Sequence, residues 1–254
     1  MMIVVKVGGS VLSNIEQIAR DLKEREFVLV HGIGPQMDEM QRAMGVEPQW
    51  HYSPSGIKFR YTDAEAMRLF NMVASGMSNE VVVALQAQGI DSVGVVAALN
   101  ARRKERIRIV ENGRKRMLEG DYSGKIESCS AEVLQNLISS GIAPVVPPIA
   151  ISENHELVNV NGDRAAAVIA RDLEIDTIVN LSDIPGVLRG SRVIRRVGRD
   201  ELEALRREVD GGMTMKLLAV QEAFDFGAKK VIIAPGNVEN PVENALKGRG
   251  TVFE

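Results

Sequence analysis

The chain has little of several features that would assign it to a particular class of protein. Its single cysteine, Cys129, excludes an internal disulfide and fits a reducing compartment. Its three histidines and this cysteine lack metal-ligand spacing, so we expect no protein metal site. No apolar run approaches the length of a membrane span, and the short apolar N-terminus has no basic leader. We therefore expect a cytoplasmic protein that neither crosses a membrane nor carries a signal peptide.

The charge of the chain is unevenly distributed. The net charge is −3, but residues 102–116 carry +6 and the remainder carries −9. The basic residues of this window are Arg102, Arg103, Lys104, Arg106, Arg108, Arg114, Lys115 and Arg116. Such a surface on an acidic protein is either a docking site for a partner or a solvated hairpin. The window has no aromatic residues between its charges, so we do not expect it to bind nucleic acid.

Apolar runs of strand length alternate with segments of helical periodicity. The predicted strands are Ile3–Val7, Phe27–Val30, Ser92–Val96, Ala143–Val146, Thr177–Leu181 and Lys230–Ile233. The predicted helices are Asn14–Glu24, Gln36–Met44, Asp63–Ala74, Ser78–Ala87, Ala131–Ser139, Asp163–Arg171 and Met213–Phe226. This alternation predicts a mainly parallel sheet with helices on both faces. Because no linker separates independent domains, we expect one domain with two lobes that meet between Arg171 and Asp176.

Two segments depart from this alternation. Asn112-Gly113, preceded by alternating residues from Arg106 to Ile109, predicts a β-hairpin with a tight turn. A second hairpin or loop is expected over Ser152–Val160. Ligands of open α/β sheets bind at the carboxyl ends of the parallel strands. We therefore expect the functional residues in the loops that follow the strands.

The first two strands each lead into a glycine-bearing loop. The first ends in Gly8-Gly9-Ser10 with Lys6 just before it. Adjacent glycines let the backbone approach a ligand closely, and the lysine can meet the charge of a phosphate. The second leads through His31-Gly32-Ile33-Gly34-Pro35 into a helix, whose N-terminus favours an anion. Two such loops can bracket a phosphoryl group; the alternative for each is an ordinary tight turn.

Three later loops add polar and charged groups. Asn159 precedes Asp163, whose carboxylate suits the first turn of a helix. Residues 211–213 open another helix, and Lys216 lies one turn inside it, where a lysine is unfavourable unless an anion is near. Residues 180–187 follow a strand and can hold a ribose and base. Two lysines, one carboxylate and glycine loops suit phosphoryl transfer, which needs charge neutralisation and alignment.

Six motifs, taken in order, resemble those of the amino acid kinase family over essentially the whole chain. They are Val5-Lys6-Val7-Gly8-Gly9, His31-Gly32-x-Gly34-Pro35, Arg60-Tyr61-Thr62-Asp63, Asn159-Val160-Asn161-Gly162-Asp163, Ser182-Asp183-x-x-Gly186 and Gly212-Met213-x-x-Lys216. Within this family, the chain resembles the N-acetylglutamate kinase branch. This resemblance implies a three-layer αβα sandwich with a mainly parallel central sheet and a β-hairpin over the substrate site. It also implies an amino-acid-binding lobe, residues 1–172, and an ATP-binding lobe, residues 173–254.

Within this branch, the chain resembles kinases that act on 2-aminoadipate or glutamate attached to an acidic amino-group carrier protein. The segments that carry this resemblance are Ser55–Asp63, Gly113–Arg116 and Gly120–Lys125. The implied reaction transfers a phosphoryl group from ATP to the side-chain carboxylate, with Mg²⁺ held mainly by phosphates and water. The product would be an acyl phosphate in lysine or arginine biosynthesis. The basic window would then dock the carrier.

The resemblance also implies roles for individual residues. Lys6 and Lys216 would stabilise the transferring phosphoryl group, held in orientation by Asp163. The substrate would be bound by Gly9, Gly32, Ile33, Gly34, Arg60 and Asn159, and the guanidinium of Arg60 would clamp its α-carboxylate. The nucleotide would be bound by Gly8, Ser182, Asp183, Gly186, Gly211, Gly212 and Met213. The amides of Gly8 and Gly9 would contact phosphoryl and substrate oxygens.

Ile33 stands where relatives carry a third glycine in the second loop. A β-branched residue resists positive φ and fills space, so we expect a narrower pocket, a changed substrate or lower activity. Two alternatives to a carrier-dependent kinase stay open. They are an N-acetylglutamate kinase that uses the free amino acid derivative, and a non-catalytic carrier-binding homologue. Because the chain starts at its first strand, without the helix of hexameric relatives, we expect a homodimer through the helix near Asp63–Ala74.

Overall fold

The computed structural model describes residues 1–96, 98–111, 113–209 and 211–254. The strands are β1 (Ile3–Val7), β2 (Phe27–His31), β3 (Trp50–Tyr52), β4 (Lys58–Arg60), β5 (Ser92–Gly94), β6 (Leu99–Arg103), β7 (Arg106–Glu111), β8 (Arg114–Glu119), β9 (Gly124–Cys129), β10 (Ala143–Val146), β11 (Ile149–Ser152), β12 (Leu157–Asn159), β13 (Thr177–Ser182), β14 (Leu188–Arg189), β15 (Arg192–Val193), β16 (Arg196–Val197), β17 (Lys230–Pro235) and β18 (Thr251–Phe253). The helices are α1 (Ile15–Leu22), α2 (Gly34–Ala43), α3 (Ala64–Ala87), α4 (Ala131–Ser139), α5 (Gly162–Asp172), α6 (Arg199–Glu208), α7 (Gly212–Asp225) and α8 (Pro241–Leu246). A 3₁₀ segment covers Gly9–Asn14.

The largest sheet of the described residues has the strand order β16-β18-β17-β13-β1-β2-β10-β5. Neighbouring strands are parallel except for β17 and β18. Every residue of β1, β2, β10 and β13 is buried, as expected for strands covered by helices on both faces. Val4 of β1 belongs to one apolar core and Val5 to another, because successive side chains point to opposite faces. The predicted three-layer αβα architecture is confirmed.

Three smaller sheets accompany this framework in the described part of the chain, with strand orders β12-β11-β6-β9, β4-β3-β7-β8 and β14-β15. In the second of these, β7 and β8 pair antiparallel from Arg106 with Glu119 to Glu111 with Arg114. The predicted basic hairpin is therefore confirmed, while Asn112, predicted for its turn, lies outside the described residues. The antiparallel pair of β11 and β12 confirms the second predicted hairpin.

The predicted break between helices Asp63–Ala74 and Ser78–Ala87 is wrong, because both belong to the continuous helix α3. Asp63 caps this helix, since its Oδ1 accepts a hydrogen bond from Ala66 N at 2.8 Å. Gly76 inside the helix costs on the order of 1 kcal/mol relative to alanine. The buried residues Val73 and Val81 on either side of it outweigh that cost through tertiary packing.

Helix α6 was not predicted from the periodicity, because its sequence is strongly polar. It buries Leu202 and Leu205 and exposes most of its other residues. The Glu201 carboxylate accepts a hydrogen bond from Gly198 N at 2.9 Å, which helps to start it. Two buried leucines one turn apart are a weak signal for a helix of this length.

The division into lobes 1–172 and 173–254 stays a prediction. Strand β13 of the second range pairs directly with β1 of the first, from Val4 with Ile178 to Val7 with Leu181. One sheet therefore runs through both ranges. No helix in the described ranges is long and apolar enough to cross a membrane.

Candidate active site

Two lysines and one aspartate from three different elements meet near the carboxyl end of β1. Lys6 Nζ lies 2.7 Å from Asp163 Oδ1, and Lys216 Nζ lies 3.3 Å from Asp163 Oδ2. Lys6 belongs to β1, Asp163 to the first turn of α5 and Lys216 to the second turn of α7. The structure thus brings together the three residues that were predicted as the catalytic group.

The start of α5 places Asp163 against Lys6. Asn161 caps this helix, because its Oδ1 accepts a hydrogen bond from Arg164 N at 3.0 Å. A Cβ atom on Gly162 would lie 3.4 Å from Lys6 Cε, so the missing side chain lets the helix end approach the lysine. Asp163 therefore lies at the end of α5 where the helix dipole favours a carboxylate.

The charges of this cluster shift its pKa values. Burial raises the pKa of Asp163, but the ammonium groups of Lys6 and Lys216 outweigh burial and hold that pKa well below its usual range. Burial and, second to it, the charge of Lys6 lower the pKa of Lys216 to about 8. With both lysines protonated, the three groups carry a net charge of +1. An anionic phosphoryl group would neutralise this excess.

Asn180 completes the cluster, although it was predicted only as part of the loop at residues 180–187 that can hold a ribose and base. Its Nδ2 donates to Asp163 Oδ1 at 2.9 Å, and its Oδ1 accepts from Lys216 Nζ at 3.4 Å. The register of β13 against β1 sets Asn180 beside Lys6. A buried side-chain amide in the apolar strand β13 needs hydrogen-bond partners. This requirement was the one signal in the sequence that could have identified Asn180 as a site residue.

The two predicted glycine loops lie against each other. Gln36 Nε2 donates to the Gly9 carbonyl oxygen at 2.8 Å. A Cβ atom on Gly9 would lie 2.9 Å from Pro35 Cδ and 3.0 Å from Gly34 N. A Cβ atom on Gly32 would lie 3.0 Å from Gly9 N. The loops approach this closely because both glycines lack side chains.

Not every glycine amide is available to a ligand. Gly8 N donates to the Leu181 carbonyl oxygen at 2.8 Å, and Gly32 N donates to that of Val7 at 2.8 Å. The expectation that the Gly8 amide contacts phosphoryl oxygens is corrected, because this amide already continues the pairing of β1 with β13. Gly9 and Gly34 begin the 3₁₀ segment and α2, whose first amides lack partners within their helices.

Ile33 does not strain its loop. It precedes α2 with a φ of −139°, so the expected conflict with positive φ does not arise. Its side chain is buried in the apolar cluster that includes Met37, Met67 and Phe70. Ile33 also lines the cavity described next, so its predicted effect on pocket width stays open to test.

A cavity of about 500 Å³ opens beside the lysine cluster. Its lining includes Gly32, Gly34, Arg60, Asn159, Gly162 and Lys104. Most of the predicted substrate-binding residues therefore share one cavity. Asn159 Nδ2 donates a hydrogen bond to Thr62 Oγ1 at 3.1 Å. The side-chain carbonyl oxygen of Asn159, Oδ1, can accept a hydrogen bond from a ligand.

The predicted nucleotide-binding residues differ in their surroundings. The Ser182 hydroxyl oxygen is buried without a hydrogen-bond partner among the described residues. Gly186 has a φ of +138°, and a Cβ atom there would lie 2.7 Å from Thr251 Oγ1, so packing explains this glycine. Gly211 and Gly212 are exposed at the start of α7.

The other two residues predicted to bind the nucleotide, Asp183 and Met213, differ in their exposure. The Asp183 side chain is exposed. Its negative charge raises the pKa of Lys216, although burial of that lysine lowers the pKa by more. Asp183 therefore lies near Lys216. Met213 is half-buried and packs against the larger apolar core. Asp210, which precedes the glycines at residues 211–212, lies outside the described residues.

Half of the basic window is paired with carboxylates, which the sequence did not predict. The ion pairs are Arg102 with Glu127, Arg103 with Glu156, Arg106 with Glu119, and Arg116 with Glu111. In the described part of the chain, no ion pair forms with the other four basic residues, namely Lys104, Arg108, Arg114 and Lys115. Glutamates from outside residues 102–116 therefore reduce the local positive charge. Within the described ranges, no group of three or more His, Cys, Asp or Glu side chains is arranged to hold a metal ion.

Comparison with known proteins places the chain in a family. The model of the amino acid kinase family matches residues 1–235. A LysW-aminoadipate/LysW-glutamate kinase from Sulfolobus acidocaldarius is 36% identical over 262 residues, with 100% of both chains covered. A kinase of the same name from Sulfurisphaera tokodaii is 38% identical over 263 residues, covering 99% of this chain and 100% of its own.

Solved structures share the fold. N-acetylglutamate synthase from Neisseria gonorrhoeae gives a TM-score of 0.84 at 22% identity, covering 99% of this chain and 59% of that longer chain. Isopentenyl phosphate kinase gives a TM-score of 0.67 at 19% identity, with 100% of both chains covered. The family match and the full-length relatives lead to one conclusion: this chain belongs to the amino acid kinase family.

Proposed function

We propose that this protein is an ATP-dependent kinase that phosphorylates the side-chain carboxylate of 2-aminoadipate, glutamate or both while they are attached to an acidic amino-group carrier protein. Membership of the amino acid kinase family supports the kinase activity. The names of full-length relatives support the carrier-linked substrate. The structural observation that carries the proposal is the buried cluster of Lys6, Asp163 and Lys216 beside a cavity lined by Arg60.

In the proposed reaction, a carboxylate oxygen of the substrate attacks the γ-phosphorus of ATP, and the bond from that phosphorus to the ADP oxygen breaks. The products are an acyl phosphate and ADP. Lys6 and Lys216 neutralise charge on the transferring group, while Asp163 and Asn180 hold Lys216 in place. Asp163 acts by orientation and not as a base, because its pKa is depressed and the attacking carboxylate has no proton to lose.

The cavity would hold the amino acid. We propose that Arg60 binds its α-carboxylate, that Asn159 contacts its backbone polar groups, and that the amides of Gly9 and Gly34 contact its reacting end. The position of Arg60, Asn159 and Gly34 in the lining of one cavity supports this assignment. Gly32 would act by keeping the two loops close, since its own amide is bonded to Val7.

ATP would lie over the ends of β13 and α7. The unpartnered Ser182 hydroxyl and the exposed glycines at residues 211–212 fit a nucleotide there. Asp183 and Met213 would line the same site, while Gly8 and Gly186 would support it through close packing. We propose that Mg²⁺ is held mainly by the nucleotide phosphates and water.

The basic hairpin would steer the acidic carrier towards the cavity. Ile107 of β7 lines that cavity, as does Lys104, which lies just before this strand. A partner bound to the hairpin would therefore be next to the substrate site. Opposite charges on two partners raise the association rate more than the intrinsic affinity. We therefore assign docking chiefly to the four basic residues without an ion pair.

Assembly and location are part of the same proposal. We propose a homodimer through α3, on which Met72 is 69% exposed and Val83 is 66% exposed. These exposed apolar side chains are the observation that supports the proposed interface. The kinase would work in the cytoplasm in lysine or arginine biosynthesis.

An N-acetylglutamate kinase is the second candidate, because the chemistry of the lysine cluster does not itself require a carrier. A non-catalytic homologue is disfavoured, since a binding protein has no need of two buried lysines around one aspartate. The deciding experiment compares ATP consumption with carrier-linked aminoadipate, carrier-linked glutamate and free N-acetylglutamate. Turnover confined to carrier-linked substrates is expected; efficient turnover of free N-acetylglutamate alone would establish the second candidate.

A further inference from the structure

The guanidinium of Arg60 is held by one face of α2. Its Nη1 donates to Gln41 Oε1 at 2.6 Å, and its Nη2 forms an ion pair with Asp38 and a hydrogen bond of 3.4 Å to the Gly34 carbonyl oxygen. These three partners are spaced four and three residues apart, so they lie on the same face of the helix. The Trp50 ring covers the guanidinium at 4.5 Å. The Arg60 side chain is therefore buried, although it lines the cavity.

These contacts occupy the donors that a carboxylate clamp would need. A guanidinium binds a carboxylate bidentately through two neighbouring N–H groups. The two edges that offer such a pair, Nε–Nη2 and Nη1–Nη2, share the Nη2 atom. Both hydrogens of Nη2 already have acceptors, one on Asp38 and one on Gly34. Neither edge of Arg60 is free while both contacts persist.

The two contacts on Nη2 are unequal. The hydrogen bond to the Gly34 carbonyl is long and its acceptor carries no charge, so an incoming carboxylate can replace it at little cost. The contact with Asp38 is an ion pair whose carboxylate side chain is 24% exposed. If Asp38 stays, the incoming carboxylate binds beside a like charge; if it leaves, an ion pair is lost. In both cases Asp38 opposes binding of a second carboxylate to Arg60.

We propose that Asp38 is a specificity-determining residue, which makes Arg60 discriminate against free carboxylates and in favour of a substrate delivered by its carrier. This inference rests on the proposed function. Docking of the carrier raises the effective concentration of the tethered amino acid, which can then compete with Asp38 for Arg60. A small free analogue has no such help and binds poorly. The internal carboxylate thus acts as a repulsive element against the wrong substrate.

The variant Asp38→Asn tests this, because an asparagine keeps an acceptor oxygen for Arg60 and removes the charge. The probe is free N-acetylglutamate, titrated calorimetrically into the full-length protein. We expect N-acetylglutamate to bind this variant about three- to tenfold more tightly than the unaltered protein. This factor is the one expected from removing a single, partly exposed charge. The KM for carrier-linked substrate should fall by a smaller factor.

Glu39→Gln is the matched control, since it removes the same charge from the exposed neighbouring position on α2. Glu39→Gln should leave N-acetylglutamate binding unchanged. This result would separate the local effect of Asp38 on Arg60 from a general change in the electrostatic field of the protein. Thermal unfolding verifies that each variant folds, and Asp38→Ala replaces Asp38→Asn if the latter does not. Equal, weaker or undetectable binding of N-acetylglutamate to the Asp38 variant overturns the inference.

Failure of the proposed function gives a different result. If the unaltered protein phosphorylates no carrier-linked amino acid, the proposed substrate is wrong, whatever the titration shows. The titration measures the competition between Asp38 and a carboxylate for Arg60 without any turnover. The two failures are therefore distinguishable.

Discussion

Lys6 Nζ and Asp163 Oδ1 lie 2.7 Å apart, although the lysine belongs to the first strand and the aspartate to the first turn of α5. The same carboxylate contacts Lys216 and accepts a hydrogen bond from Asn180. Asp163 is thus the common partner of every charged group in the cluster. Without its charge, two buried ammonium groups would repel each other with no counter-ion.

Asp163→Asn should therefore impair both catalysis and folding. We expect kcat to fall by about two orders of magnitude or more, because the lysines lose the partner that positions them. We also expect the free energy of unfolding to fall by roughly 3 kcal/mol, as when one member of a buried ion pair is removed. ATP consumption and denaturant unfolding measure the two effects. Asp176→Asn, at an exposed ion pair with Lys229, is the control and should change neither quantity appreciably.

The lowered pKa of Lys216 gives the activity an alkaline limit. Lys216 must be protonated to stabilise the phosphoryl group, and its pKa in the empty site is about 8. The value of kcat/KM for ATP should therefore fall as the pH rises through 8, because this parameter reports the free enzyme. Bound phosphate stabilises the protonated form, so kcat should decline at a higher pH.

Lys216→Arg tests this assignment, since a guanidinium stays charged throughout the accessible pH range. The alkaline fall of kcat/KM should disappear in this variant, even if its overall rate is lower. Profiles measured between about pH 6.5 and 10 decide the matter, as they span the lowered pKa of Lys216 and stay below the ordinary lysine pKa. An alkaline limb that persists in Lys216→Arg would assign the titration to another group.

The sequence predicted the framework and much of the site because these depend on local patterns. Continuous apolar runs identified the buried strands of the parallel sheet, and the rule that ligands bind at strand ends placed Lys6 and Asp163 at one edge. The hairpin followed from its alternating residues and its glycine turn.

Individual hydrogen-bond and ion-pair partners between distant segments could not be predicted. Asn180 has partners on α5 and α7, and nothing in β13 itself specifies them. The Gly8 amide is bonded to Leu181 through a strand pairing that a local glycine motif does not reveal. Half of the basic window is paired, mostly with glutamates outside it, so a count of charges along the chain overestimated its surface charge.

Ile33→Gly should reduce stability more than activity. The Ile33 side chain is 3% exposed and packs in an apolar cluster, so its removal should lower the free energy of unfolding by about 2–5 kcal/mol. The negative φ of the residue is compatible with either side chain, and its amide is present in both proteins. ATP consumption, measured well below the unfolding temperature, should therefore be retained.

Ile33→Val is the graded comparison, with an expected cost of about 1 kcal/mol. Thermal unfolding of the three proteins should rank them in the order isoleucine, valine, glycine. A large loss of turnover in folded Ile33→Gly would instead show that the isoleucine shapes the substrate cavity that it lines.

Charge reversal at the hairpin tests carrier docking. Arg114→Glu combined with Lys115→Glu changes two basic residues that form no ion pair in the described part of the chain, whereas Arg116 already contacts Glu111. We expect kcat/KM for carrier-linked substrate to fall by about tenfold or more at low salt, through slower association. The deficit should shrink as salt is added, because exposed charges are screened.

The matched control is Arg189→Glu, which reverses an exposed arginine on the separate hairpin of β14 and β15. It should leave turnover of carrier-linked substrate unchanged at every salt concentration. Turnover of any free substrate should be equal in the unaltered protein and the hairpin variant, since the lysine cluster and the cavity are intact. If the hairpin variant used carrier-linked substrate normally at low salt, its basic residues would be solvated charges and the carrier would dock elsewhere.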